Sequence, residues 1–241
     1  MVMCINFIGE IIIKIVKVGV IVFPGSNCDR DMFHVLADVF HLNTQYYWHE
    51  KSLPDNIDAV ILPGGFSYGD RLRAGVIAAN SPIITDVKKL ANKGIPILGV
   101  CNGFQILVES NLLPGVLLKN ESLNFMCQWT NLIVKNNKTP FTNKLKLNQK
   151  IPIPIANGEG RYYADSDLLN VLKRHDQIVF SYENYVNGSI EQIAGVCSED
   201  RNVVGMMPHP ERAAERVLNP IDNKPSSLIF ESLLNTMGVK N

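Results

Sequence analysis

Three apolar runs, each cut off by a turn signal, set the first limits on the fold. Val18 to Phe23 stops at Pro24-Gly25, Ala59 to Leu62 stops at Pro63-Gly64-Gly65, and Ile95 to Val100 runs straight into Cys101. Runs without polar alternation suit strands covered on both faces, which is the habit of parallel sheets. Helical periodicity fills the gaps between them. Met32, Val35, Leu36, Val39 and Phe40 share one face after the first run. Ser81-Pro82 reads as an N-cap with proline at the first helical position, and Gly94 as the stop. Ile83, Ile84, Val87, Leu90 and Ala91 supply that helix's inner stripe.

The second half changes texture. Short strands are predicted at Asn131 to Val134, Ile151 to Ile155, Ile178 to Tyr182, Ile193 to Cys197 and Val203 to Met207, with a hairpin around residues 199–202. A last helix runs from about Ser226 to Met237. Alternation followed by hairpins predicts one three-layer α/β domain, its sheet mostly parallel with an antiparallel extension. Residues 1–16 contain only a broken apolar stretch, interrupted by Glu10 and Lys14. They are read as an appendage outside the core, and residues 17–241 as the domain. A signal peptide or membrane span would need a longer unbroken run than this.

The 241 residues carry 23 basic and 23 acidic side chains, so no charge excess points to nucleic acid or an anionic membrane. Five cysteines (Cys4, Cys28, Cys101, Cys127 and Cys197) are an odd and sparse set, which favours a reducing, cytoplasmic setting over a disulfide scaffold.

The chemistry is concentrated in three strings. Gly99-Val100-Cys101-Asn102-Gly103-Phe104-Gln105 follows a strand and precedes a helix expected over Phe104 to Glu109. A nucleophile between two glycines there fits a strand–turn–helix elbow, with the helix N-terminus favouring thiolate. A small residue packed at a strand end is the plainer alternative. Met206-Met207-Pro208-His209-Pro210-Glu211 narrows the choice. Pro210 biases His209 to an extended conformation, so His209 and Glu211 point the same way and can serve one thiol as base and orienting acid. Pro63-Gly64-Gly65-Phe66-Ser67-Tyr68-Gly69-Asp70 offers a glycine loop. The Gly65 N–H, with that of Asn102, could stabilise an oxyanion. A phosphate cradle, here or at Pro24-Gly25-Ser26-Asn27-Cys28, is disfavoured by the lack of a Walker lysine or dinucleotide spacing.

In this order the strings resemble the class I, triad-type glutamine amidotransferases, with their G-x-C-x-G-x-Q and late H-P-E. The resemblance spans roughly Lys17 to Leu234. Pro24 to Asp29, Leu72 to Gly75, Gly158 to Gly160 and Gly205 to Arg212 extend it toward glutaminase subunits that serve a separate synthetase of de novo purine synthesis. The resemblance implies a flavodoxin-like fold and glutamine as substrate. It also implies Cys101, His209 and Glu211 as the triad, and Gly64 and Gln105 as substrate contacts. Partners would be a large synthetase subunit, which uses ATP and magnesium, and a small third subunit. No metal or cofactor is expected on this chain.

One departure stands out: Asn157 occupies the place of the usual histidine before Gly158-Glu159-Gly160. Cys28 and Cys127 are expected to be buried structural thiols, and His34, His41, His49 and His175 ordinary surface or half-buried residues. Arg71 and Arg73 are candidates for partner contact. A stand-alone hydrolase or thiol stress protein of related fold, or a non-catalytic regulatory subunit, are the rivals. Asn102 after the cysteine speaks against the former, since such proteins often carry histidine there. An intact triad speaks against the latter.

Overall fold

The apolar runs become neighbouring strands of one sheet in the computed structural model, which describes residues 3–5, 11–13, 15–219 and 226–239. Strands β1 (Met3–Ile5) and β2 (Ile11–Ile13) pair antiparallel with each other and stay outside the main sheet. The next elements are β3 (Lys17–Val22), α1 (Asp29–His34), β4 (Asn43–Trp48), β5 (Ala59–Leu62), α2 (Pro82–Asn92), β6 (Ile97–Val100) and α3 (Asn102–Glu109). Helix α1 continues as a wider π-helical turn over Val35–Val39. The second half adds β7 (Val116–Leu118), β8 (Met126–Val134), β9 (Lys150–Asn157), β10 (Arg161–Tyr163), α4 (Ser166–Arg174), β11 (Ile178–Tyr182), β12 (Ile193–Cys197), β13 (Val203–Met206) and α5 (Ser227–Thr236).

Nine strands form the main sheet in the order β4-β3-β5-β6-β13-β12-β11-β8-β9. Pairs from β4 to β13 are parallel, and those from β13 to β9 antiparallel. The expected division between a parallel half and an antiparallel extension is therefore present, with its seam at β13. Val60, Ile61, Leu62, Ile97, Leu98 and Val100 are fully buried, as strands covered on both faces require. Every residue of the stripe assigned to α2 is buried too. Gly94 closes that helix region at a φ of +78°, where a side chain is disfavoured. Ser81 stands at the N-cap with Pro82 behind it, but its side chain makes no capping bond.

Some expectations need correction. Val16 is buried, and its carbonyl accepts the Asn43 N–H at 3.2 Å, so the core starts before Lys17. Helix α3 begins at Asn102 rather than Phe104, directly behind the cysteine. Cys127 is exposed on β8, and His49 is buried beneath Trp48 and Tyr68. The carboxyl ends of β3, β5, β6 and β13 lie side by side, the position at which open α/β sheets bind ligands.

Helix α3 presses unusually close to the sheet. Phe104, Ile106 and Leu107 are fully buried, each contributing ~1.5–3 kcal/mol of apolar burial. A methyl added to Gly103 would overlap the Leu62 carbonyl of β5, and one on Gly99 would lie 2.6 Å from the Gly103 oxygen. Gly103→Ala should therefore cost about 2–3 kcal/mol through overpacking, lowering the melting temperature by roughly 4–12 °C in a domain this size. Gly94→Ala meets nothing within 4 Å and carries only the strain of its φ, about 1–2 kcal/mol. Thermal denaturation of both variants measures the difference. A Gly103→Ala protein as stable as wild type would show that α3 does not bear on β5.

Candidate active site

Four loops leave adjacent strand ends and are stitched together by backbone bonds. The Cys28 N–H donates to the Gly64 carbonyl at 3.2 Å, Phe66 to Gly25 at 3.0 Å and Cys101 to Met206 at 2.8 Å. His209 donates its N–H to Pro154 of β9 at 2.9 Å. Strand β9 thus curls from the far side of the sheet over the end of β13.

Cys101 occupies the elbow between β6 and α3 with φ +50° and ψ −108°. Few residues other than glycine adopt positive φ, and such strain persists only where the surroundings enforce it. Here they do: Gly99 and Gly103 let α3 close onto the strands, and the Gln105 N–H holds the Cys101 carbonyl at 3.1 Å. The side chain is thrown clear of the sheet into a cleft, next to the positive end of α3.

His209 and Glu211 are 1% and 2% exposed, and His209 Nδ1 bonds Glu211 Oε1 at 2.6 Å. His209 is extended, at φ −103° and ψ +91°, as the following proline demands. Its Nε2 has no hydrogen-bond partner among the described residues, which leaves it free to exchange a proton with a neighbouring thiol. Burial alone would lower the imidazole's pKa. The Glu211 carboxylate and the Cys101 sulfur outweigh burial and hold it well above the ordinary histidine value.

Gly64 sits where these groups converge. A methyl there would lie 2.7 Å from His209 Cε1, 3.1 Å from Cys28 Sγ and 3.4 Å from Cys101 Cβ. The absence of a side chain at Gly64 makes room for thiol and imidazole to meet. Gly65 does line the cleft with Cys101. Asn102 opens α3, where helices leave their first amides unpaired. The Asn102 side chain accepts the Ser67 N–H at 3.2 Å and donates to Gln105 Oε1 at 2.9 Å, and Gln105 Nε2 donates to the Glu159 carbonyl at 2.6 Å. Gln105 therefore faces the cleft with its amide already engaged in bracing two loops.

Sequence reasoning missed three participants. Cys28 is buried, as expected, but it forms part of the wall behind His209 and accepts a hydrogen bond from Arg212 Nη2 at 2.9 Å. Cys28, His209 and Glu211 bring potential metal ligands within 4.8 Å of one another, the one such group among the described residues; the His209–Glu211 bond occupies two of them. Asp70 and Glu159 also line the cleft, and burial followed by the Glu159 charge pushes the Asp70 carboxyl up to about 6. Asp70 stands within a quoted sequence string, but nothing local marks its carboxyl as cleft-facing. Arg73 pairs with Glu109 through two bonds of 2.6 Å, while Arg71 is exposed.

A thiol on a strained elbow, an imidazole beside it and a carboxylate behind that are the parts of a nucleophilic acyl-transfer site. Residues 15–235 match the CobB/CobQ-like glutamine amidotransferase domain, and the chain belongs to that family. It is 49% identical over 232 residues to the phosphoribosylformylglycinamidine synthase subunit PurQ of Salinibacter ruber, covering 92% of this chain and 97% of that protein. Among solved structures, PurLQS from Thermotoga maritima contains a chain that superposes with a TM-score of 0.84 at 46% identity, over 93% of this chain and all of that one. The glutaminase domain of Trypanosoma brucei CTPS with bound acivicin shares the fold, with a TM-score of 0.59 at 12% identity over 94% and 95% of the two chains.

Replacing Glu211 by glutamine keeps the shape and removes the charge. His209 should then titrate lower, which NMR of the imidazole ring can follow. Because the folded-state value is raised, the pair's stabilisation is full below the ordinary histidine value of ~6.5 and is lost as pH climbs from there through the higher folded-state value. The stability gap between wild type and Glu211→Gln should therefore narrow at alkaline pH. An unchanged His209 titration would mean that Glu211 does not govern the imidazole.

Proposed function

We propose that this chain is the glutaminase subunit of phosphoribosylformylglycinamidine synthase. It releases ammonia from glutamine for a separate synthetase subunit, assisted by a small third subunit. The observation that carries the reading is the convergence of Cys101 and the His209–Glu211 pair on the bare Cα of Gly64. The likeness to the Salinibacter PurQ and to a chain of the Thermotoga PurLQS complex supports the choice of reaction and partners.

In this mechanism Cys101, deprotonated by His209, attacks the side-chain carboxamide carbon. A sulfur–carbon bond forms, and the carbonyl electrons move to oxygen. The amides of Gly65 and Asn102 stabilise that oxyanion; such donors are worth ~3–4 kcal/mol each in related chemistry. His209 then gives its proton to the departing nitrogen, the carbon–nitrogen bond breaks, and ammonia leaves. Water, deprotonated by the same imidazole, cleaves the thioester to glutamate and restores the thiol. Glu211 keeps Nδ1 engaged so that Nε2 faces the chemistry throughout. A raised histidine pKa suits the second task, since the proton must be present when the amine departs.

ATP and magnesium act on the synthetase subunit, where the formamide oxygen of formylglycinamide ribonucleotide is activated and displaced by the ammonia. Nothing in the steps above calls for a cofactor on this chain. A reduced Cys101 is essential, which fits a cytoplasmic location. Among the described residues no helix is long and apolar enough to cross a membrane.

Cys101→Ala separates the two half-reactions. In the reconstituted synthase, glutamine-dependent product formation should fall by ~10⁴-fold or more, in line with losses of a nucleophile from other triads. Formation from ammonium salts should stay near wild type, because the synthetase chemistry is untouched. Product should be measured with each nitrogen source after gel filtration confirms assembly. Loss of both activities in an assembled complex would mean that the cysteine also serves the synthetase step.

A further inference from the structure

The buried imidazole of His49 takes no part in the steps above, yet it stands directly behind the loop that carries Gly65. His49 follows β4 and is 7% exposed. Its N–H donates to the Val22 carbonyl of β3 at 3.0 Å, and its own carbonyl accepts the Ile83 N–H of α2 at 3.2 Å. Aromatic rings enclose it: Phe23 stacks with its centroid 6.0 Å away, Trp48 tilts against it at 4.6 Å, and Tyr68 meets it edge-on at 5.7 Å. A polar ring held this way must find its hydrogen bonds inside the protein. The Tyr68 hydroxyl supplies one, 3.2 Å from His49 Nδ1, and lies 3.5 Å from Ser81 Oγ as well.

Tyr68 belongs to a strained stretch. With Gly69 and Asp70 it forms a left-handed run at φ +54°, +66° and +53°. Tyr68 and Asp70 carry side chains, and such backbone persists only where its surroundings enforce it. The enforcing bonds run to the loop after β3: Tyr68 donates its N–H to the Pro24 carbonyl at 2.6 Å, and Phe66 to Gly25 at 3.0 Å. Gly65 is wedged into the same seam, where an added methyl would lie 2.8 Å from Ser26 Cα. His49 grips both sides of that seam, Phe23 by stacking and Tyr68 through its hydroxyl. Gly65 lines the cleft, whereas His49 does not.

We propose that His49 is a positioning residue for the oxyanion: through Tyr68 it keeps the Gly65 amide aimed at the carbonyl oxygen that gains charge. This rests on the glutaminase reading and deepens its first step. A donor aligned before the charge appears needs no reorganisation when it does. Loosening the loop therefore lowers kcat and leaves the ground-state binding of glutamine in place.

The assembled synthase tests this, with synthesis from ammonium salts as the measure of an intact complex. Tyr68→Phe deletes only the hydroxyl, and His49→Phe keeps a ring but loses the nitrogens. Each should lower kcat for glutamine about 30-fold, short of the ~10²–10³ that accompanies outright loss of an oxyanion donor, with KM held within about twofold. The double variant should be no slower than either single one, because both delete the same bond. His49→Asn, whose amide reaches the place of Nδ1, should recover kcat to within about threefold of wild type. Alkylation of Cys101 by iodoacetamide, read by peptide mapping, should keep its wild-type rate in every variant. There sulfur bonds to the methylene carbon as iodide leaves, and no oxyanion forms. Alkylation slowed in step with hydrolysis would overturn the proposal, since the variants would then be disturbing the nucleophile. So would a loss carried by KM, or a wild-type kcat in Tyr68→Phe, the mildest of these changes and one that decides the matter even if His49→Phe does not fold. An assembled wild type that makes product from ammonium but never from glutamine overturns the glutaminase reading instead.

Discussion

The approach of α3 to the sheet is the constraint on which the site depends. Gly103 lies against the Leu62 carbonyl and Gly99 against Gly103 itself, so β5, β6 and the first turn of α3 share one closely packed junction. Only with α3 this close can the chain turn within a single residue, and that residue is Cys101 at φ +50°. The strain there costs of order 1–3 kcal/mol, well within what the buried face of α3 supplies through Phe104, Ile106 and Leu107. Packing energy from the core is thereby turned into the placement of one thiol at the wall of the cleft.

Sheet order does the rest. Because β3, β5, β6 and β13 are consecutive neighbours, loops separated by more than a hundred residues meet at one edge. The glycine loop after β5 lies between the cysteine elbow and the loop that follows β3, packed so closely that a methyl added to Gly65 would lie 2.9 Å from Asn27 N. The antiparallel half has a different task. Strand β9 brings the Ala156 carbonyl to 3.7 Å from Cys101 Sγ, and its end and the loop after it place Asn157 and Glu159 along the cleft, so the parallel half supplies Cys101 and His209 while the extension closes the opposite wall.

The parts of the fold legible in the sequence were those with strong local signals. Continuous apolar runs revealed β3, β5 and β6, and periodicity with a proline start revealed α2. Strand β4 gives no such signal: it is the sheet's edge, and its Asn43–Trp48 stretch mixes polar and aromatic residues because only one side is paired. Helix α4 was overlooked although Asp165 caps it, accepting the Leu168 N–H at 2.9 Å, and Leu169 and Leu172 form its short inner stripe. The placement of Cys101 on an elbow and of His209 against Glu211 was readable because both signals are local. The acidic pair was not, since Asp70 and Glu159 lie on loops that only the tertiary fold brings together. The packing at Gly64 was hidden for a related reason: a glycine can admit a ligand or a neighbouring side chain, and spacing alone does not distinguish them.

Two thiols lie beside one imidazole, and the proposed reaction assigns the attack to only one of them. Cys28 touches His209 through the same gap at Gly64, yet it differs from Cys101 in access and in bonding. It stands ahead of the short helix α1 in an unstrained conformation, donating to Asn27 Oδ1 at 3.1 Å and accepting from Arg212 at 2.9 Å. It is 2% exposed and absent from the cleft lining, whereas Cys101 lines the cleft. Cys197 is excluded on other grounds, because burial pushes its thiol up to about 12. Nucleophilicity also requires a thiolate with an open line to the substrate carbon. Cys101 has that line because the elbow turns it away from the sheet, while Cys28, enclosed between Arg212 and the glycine loop, helps to fix the position of the imidazole that both sulfurs share.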